Sequence, residues 1–166
     1  MPHTQPSRSW IRFRLRNMVL EVVVALSLAF LVWLYTRSRD QEILDQAGDA
    51  LIYANRSGEI MRWNRACTAL FGFSAEEALG NNLDLIIPEH LRAAHWNGFD
   101  AAVASGATKL KGRPTLTRAL HKSGSRLYVE MTFALVRNAG GEVLGSVAMA
   151  RDVTERVERE RAARKA

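Results

Sequence analysis

Hydrophobic positions change their spacing twice along this chain. From Met18 to Tyr35 the run MVLEVVVALSLAFLVWLY holds 18 residues with one charge, Glu21. At about 1.5 Å per residue an 18-residue helix spans roughly 27 Å, close to a hydrocarbon core of about 30 Å. Trp33 and Tyr35 stand where interfacial aromatics belong, with Arg37 and Arg39 just beyond. The run exits into LYTRSRD without a small-x-small cleavage site, which favours an uncleaved anchor over a signal peptide. A transmembrane helix is therefore expected over residues 18–36, behind a basic tail at 1–17. A short polar linker helix, Asp40 to Gln46, is expected within 37–47.

The spacing then turns to that of strands. DALIYANRSGEIMRWN contains two extended runs broken at Arg56-Ser57-Gly58, a hairpin signal. Asn64 is placed to cap a helix RACTALFGF that Gly72 ends, and Ser74 with Glu77 forms a capping box for the next turn. Ile86-Ile87-Pro88 leads into a long helix, where the period becomes helical. On it Leu91, His95, Gly98, Phe99 and Ala102 share one face, and His90, Ala93, Asn97 and Asp100 lie opposite. Three more strands follow: PTLTRALH, then RLYVEMTFALVRN with Leu127, Val129, Met131 and Phe133 on one face, then EVLGSVAMARDV. Two strands, short helices and a three-strand meander predict an α+β fold, a five-stranded antiparallel sheet with helices packed on one face.

Charge adds a constraint. The net +6 divides into +4 over residues 1–40, zero over 41–152 and +2 over 153–166. The folded body is balanced and offers no basic face for nucleic acid. Lys109, Lys111, Arg113, Arg118 and Lys122 read as a solvated run. Cys67 is the single cysteine, so no internal disulfide or thiolate metal cluster is available, and it reads as a small core residue. No set of nucleophile, base and acid assembles, so no enzyme activity is expected. NAGGEVLG joins two strands rather than a strand and a helix, which argues against phosphate cradling.

The segment GDALIYANRSGEIMRWNRACTALFGFSAEEALGNNLDLIIPEH, the meander and the closing MARDVTER together resemble a PAS domain of the S-box type, over about Asp45 to Arg156. The resemblance implies a sensory and interaction module at 48–152. Such modules hold a small molecule between sheet and helices and pass its state on through flanking helices to a partner. It also implies a cytoplasmic domain, here on a single-pass protein of a bacterial inner membrane. By itself the arginine count, four before the anchor and two close after it, would put the domain outside.

Aligned with the rhizobial oxygen-sensor kinases, which resemble it in this region, the histidine that ligates haem iron falls on His95. The resemblance makes His95 a candidate haem ligand, with Leu91, Gly98, Phe99 and Thr115 around the cofactor. Gly98 would let a flat ring approach the backbone. Thr115 stands where those sensors carry the arginine that stabilises bound oxygen, so a haem here would suit carbon monoxide, nitric oxide or redox sensing better. The alternatives are a histidine hydrogen-bonded to a strand carbonyl beside an empty or metabolite-filled cleft, and a redox flavin. The light-sensing flavin class needs a cysteine that GNNLDLIIP does not supply. His90 and His121 read as surface and strand-end residues, and Trp96 as a packing residue at the edge of the stripe.

At the C-terminus, Asp152 and Glu155 are spaced as a capping box for a signalling helix over 153–166, with Val153 and Val157 as its apolar positions. A homodimer with the flanking helices in contact, or a separate signalling partner, is expected. The competing reading is a ligand-free PAS adaptor that works by dimerisation alone.

Overall fold

The computed structural model describes residues 8–165, with side chains from residue 18 onward except those of 19, 20, 37 and 38. The first seven residues of the expected basic tail, the side chains of the rest of that tail, and Ala166 lie outside this description. The chain divides into two units between Ile43 and Leu44.

In the first unit, helix α1 (Arg8–Asp45) runs unbroken, so the residues of the expected linker helix are its last turns rather than a separate element. Nothing between Tyr35 and Asp45 breaks it, since the stretch has neither proline nor glycine. Glu21–Asp45 is long and apolar enough to cross a membrane, and its apolar side chains are uncovered, from Leu34 at 43% to Leu26 at 66% exposed.

The second unit begins with a hairpin, β1 (Ala50–Asn55) and β2 (Ile60–Trp63). Asn55 closes it by accepting from the backbone N–H groups of Ser57 and Glu59, both at 3.0 Å. Helices α2 (Arg65–Phe71) and α3 (Ala75–Ala78), a 3-10 turn at Leu83–Leu85 and helix α4 (Glu89–Ser105) follow. The meander β3 (Thr115–Leu120), β4 (Arg126–Arg137) and β5 (Val143–Asp152) and helix α5 (Thr154–Ala163) complete it. All strand pairs are antiparallel, in the order β2-β1-β5-β4-β3. This is the five-stranded sheet with helices that the spacing predicts.

The register decides where the interior is full and where it is hollow. Ala148 of β5 stands between Ile52 of β1 and Phe133 of β4, and Ala150 stands between Ala50 and Met131. Gly145 must be glycine, because a Cβ there would come within 2.1 Å of the Ala54 carbonyl oxygen. The middle of the inner sheet face is thus floored by small residues, while Ile60, Trp63, Cys67 and Phe71 fill the end beneath α2.

Helix termini follow the sequence closely. Asn64 caps α2 by accepting from the Cys67 N–H at 3.0 Å, and Gly72 ends it in the left-handed conformation at φ 79°. Ser74 and Glu77 form the reciprocal box. The box expected at Asp152 and Glu155 does not form: Asp152 accepts from the Thr154 N–H at 2.8 Å rather than from that of Glu155, and Glu155 pairs forward with Arg159 at 3.0 Å. The helix has Val153 at its N-cap instead, with Val153 and Val157 buried and the Tyr128 N–H donating to the Thr154 hydroxyl at 3.0 Å.

Candidate functional site

Helix α4 spans 17 residues without burying one of them. It lies over the alanine floor of the sheet and leaves two adjoining cavities of about 300 and 320 Å³. The first is walled by α4, the inner face of β1, β3, β4 and β5, and the Leu83–Ile87 segment. The second lies toward the C-terminal part of α4 and the Thr108–Leu110 loop. Ala94, His95, Phe99, Phe133 and Ser146 belong to both walls. Each volume alone is at the lower edge of the range of small-molecule sites, about 300–1,000 Å³.

All five residues singled out from sequence meet here. Leu91, His95, Phe99 and Thr115 line the first cavity, and Gly98 lines the second. A Cβ on Gly98 would meet nothing within 4 Å, so the open space continues to its backbone.

His95 is the chemically exceptional member. Its Nε2 is buried without a hydrogen-bond partner, the one such side-chain atom among the described residues. No strand carbonyl reaches it, so the packed, hydrogen-bonded histidine is not what this structure contains. Burial holds its pKa below the ordinary histidine value, partly offset by the negative charge of Asp84. The ring is therefore neutral at pH 7, with a nitrogen lone pair to offer at one of its two positions. A buried polar atom left unpaired costs about 1–3 kcal/mol, a cost that a ligand bound at that nitrogen would remove.

His90 and His121 behave as expected. His90 is exposed, and His121 turns its Nδ1 to the Ser123 hydroxyl at 2.8 Å at the end of β3, its ring covering Gly72. Trp96 packs, as expected, but also donates from Nε1 to Asp84 Oδ1 at 2.8 Å, a pairing that no sequence spacing marked. Also missed were the contributions of Ile52, Ala54, Thr117, Ser146 and Ala148 to the cavity walls. Their shared property, an inward position on the sheet, becomes visible only once the strand register is known. Among the described residues no group of three or more His, Cys, Asp or Glu side chains is placed to hold a metal ion.

The sheet order, the helices on one face and the cavity between them define a sensory and signalling type of module. The PAS fold family matches residues 38–153, and this chain belongs to it. Among curated proteins it is 34% identical over 130 residues to an uncharacterised protein of Azorhizobium caulinodans, covering 78% of this chain and 17% of that one. It is 30% identical over 111 residues to the oxygen sensor protein DosP of Escherichia coli strain K12, covering 67% of this chain and 14% of that one. The chain thus spans under a fifth of the length of either relative. Among solved structures, the PAS domain of a Colwellia psychrerythraea protein matches with a TM-score of 0.62 at 21% identity, covering 72% of this chain and 98% of that one.

Proposed function

We propose that this protein is a membrane-anchored PAS sensor that binds haem through His95 Nε2 and relays the state of that site through its flanking helices to a partner. The observation that carries the reading is His95 itself, a residue that lines two adjoining, mostly apolar cavities and whose Nε2 is buried without a partner. The donor fits: a neutral imidazole in a water-poor cleft is a suitable iron ligand. The walls fit as well. Leu91, Phe99, Met131 and Phe133 supply apolar contact, and Gly98 leaves room along α4. When bound, haem would supply an iron centre that takes a diatomic gas or changes redox state. The likeness to an oxygen sensor protein supports the same reading.

The chain's own residues set the selectivity. The polar lining of the first cavity is His95, three uncharged hydroxyls, Thr115, Thr117 and Ser146, and Arg118, an exposed residue. With Thr115 at the position where the resembling sensors carry the arginine that stabilises bound oxygen, this reading favours carbon monoxide, nitric oxide or a redox change.

The relay has a physical route. Met131 and Phe133 of β4 line the cavity, while Tyr128 and Glu130 of the same strand hold α5. The Tyr128 carbonyl accepts from the Val153 N–H at 2.9 Å, and Glu130 pairs with Arg156 at 3.0 Å. A shift of β4 against its neighbours would therefore be felt at the start of α5. The partner is a second copy or a signalling protein, and the anchor lies in a bacterial inner membrane with the domain in the cytoplasm.

The test is absorbance of the full chain, purified in detergent after expression with haem supplied. A Soret band that His95→Ala abolishes, with the circular dichroism of the fold unchanged, is expected. A colourless wild type, a flavin spectrum, or a Soret band that survives His95→Ala would overturn the assignment.

A further inference from the structure

The His95 ring is aimed without a hydrogen bond. Among the described residues it instead sits in a group of three aromatic rings on α4. Trp96 meets it edge-on, with centroids 5.0 Å apart at 89°, and Phe99 stacks on it at 6.1 Å and 25°. Trp96 and Phe99 also touch one another, at 5.4 Å and 73°. Imidazoles that bind metals are usually oriented by a hydrogen bond at the second ring nitrogen. Here that means of orientation is replaced by ring contacts.

Trp96 is itself fixed at both ends. Its Nε1 donates to Asp84 Oδ1 at 2.8 Å. Its far edge fills the space above Gly58 in the β1–β2 turn, where a Cβ would lie 2.1 Å from Trp96 Cη2. Asp84 in turn is steadied by Arg92, whose Nε lies 3.7 Å from Oδ1 and whose Nη2 donates to the Asp84 carbonyl at 3.0 Å.

We infer that Trp96, anchored by Asp84, is the positioning residue for His95: it fixes the ring in the cavity wall before any ligand arrives. The inference rests on His95 being the ligand-binding group. Preorganisation of this kind lowers the ordering cost at the moment of binding, which is where rigid sites gain affinity.

The test is read on the ligand-free full chain, so it does not depend on haem uptake. With ring-labelled histidine, and the His95 signals assigned through His95→Leu, nuclear magnetic resonance reports the state of this one ring. The wild type is expected to give a single narrow set of His95 ring resonances. Asp84→Ala, which removes the acceptor, should broaden or split that set. Asp84→Asn keeps a carbonyl acceptor without the charge and should restore it. Trp96→Phe, which keeps a ring but loses the N–H, should resemble Asp84→Ala. Circular dichroism confirms that each variant is folded. His95 resonances unchanged in both Asp84→Ala and Trp96→Phe would overturn the positioning role, as would Asp84→Asn behaving like Asp84→Ala. A colourless wild type would overturn the haem assignment and leave this result to be judged separately.

Discussion

Helices α2 and α4 pack on the same sheet and treat their polar atoms in opposite ways. Under α2, Asn64 is 3% exposed and satisfies both ends of its amide. Its oxygen accepts from the Leu51 and Cys67 N–H groups, and its nitrogen donates to the Leu44 and Asp49 carbonyls, at 2.9–3.0 Å. Around it Cys67, Ile60 and Phe71 are fully buried. Under α4, no helix residue is buried, and His95 Nε2 has no partner. One end of the domain is built to be stable, and the other holds space and an unpaired donor. The contrast separates residues that fill the fold from residues that leave space in it.

The sharpest way to break the comparison is to truncate one ring on each side. Phe71→Ala should cost about 4 kcal/mol, because it opens a void in a filled core beside Trp63. Phe99→Ala should cost under about 1.5 kcal/mol, since its side chain already borders open space. Chemical denaturation of the two variants measures both. Equal losses would erase the distinction.

Polar truncation comes next. Asn64→Ala removes four hydrogen bonds, of which those to the Leu51 N–H and the Asp49 carbonyl are the ones that neither its own backbone nor a neighbour replaces, and should cost about 2–3 kcal/mol. His95→Leu should act the other way and stabilise the ligand-free protein by about 1 kcal/mol, because it removes a buried unpaired atom. A loss of stability in His95→Leu would mean that the ring is a packing element.

Acid should expose the same asymmetry. The folded His95 has a pKa below its unfolded value, so below about pH 6.5 the unfolded chain binds the extra proton. Stability is expected to fall as pH drops through 6.5 and to go on falling until the folded pKa is reached. His95→Leu should flatten that part of the curve. A pH profile from 7.5 to 5 that is the same in both proteins would contradict the assignment.

The smallest effect is at Cys67, whose thiol burial pushes up to about 12, against the opposing hydrogen bonds from the Asn64 and Leu51 backbone groups. Iodoacetamide at pH 8.5, where a free cysteine is about half ionised, should leave the folded protein unmodified. Labelling at the rate of a free thiol would show that the α2 end opens far more readily than its packing implies.

Local signals in the chain were sufficient for most of the domain. The Asn64 cap, the Ser74–Glu77 box, the Gly72 stop and the alternation of β4 are each written within a few residues, and each is present. The face shared by Leu91, His95 and Phe99 follows from helical geometry alone. What escaped depends on distant pairing. That Ala148 would stand between Ile52 and Phe133, and so floor a cavity, is fixed by the β1–β5–β4 register. Asp84 meets Trp96 only because the 3-10 turn folds back on α4. The box expected at Asp152 is not formed, because burial of Val153 and its backbone bond to Tyr128, both tertiary, set where the helix begins.

The most direct measurement is the unfolding free energy of the full chain in detergent with and without hemin, for the wild type and for His95→Leu. At a hundredfold excess over its dissociation constant, a ligand specific to the folded state adds about 2.7 kcal/mol. The wild type should gain that amount, and His95→Leu, though more stable when empty, should gain little. An equal gain in both proteins, or none in the wild type, would contradict the claim that the nitrogen left unpaired beneath α4 is there to bind haem.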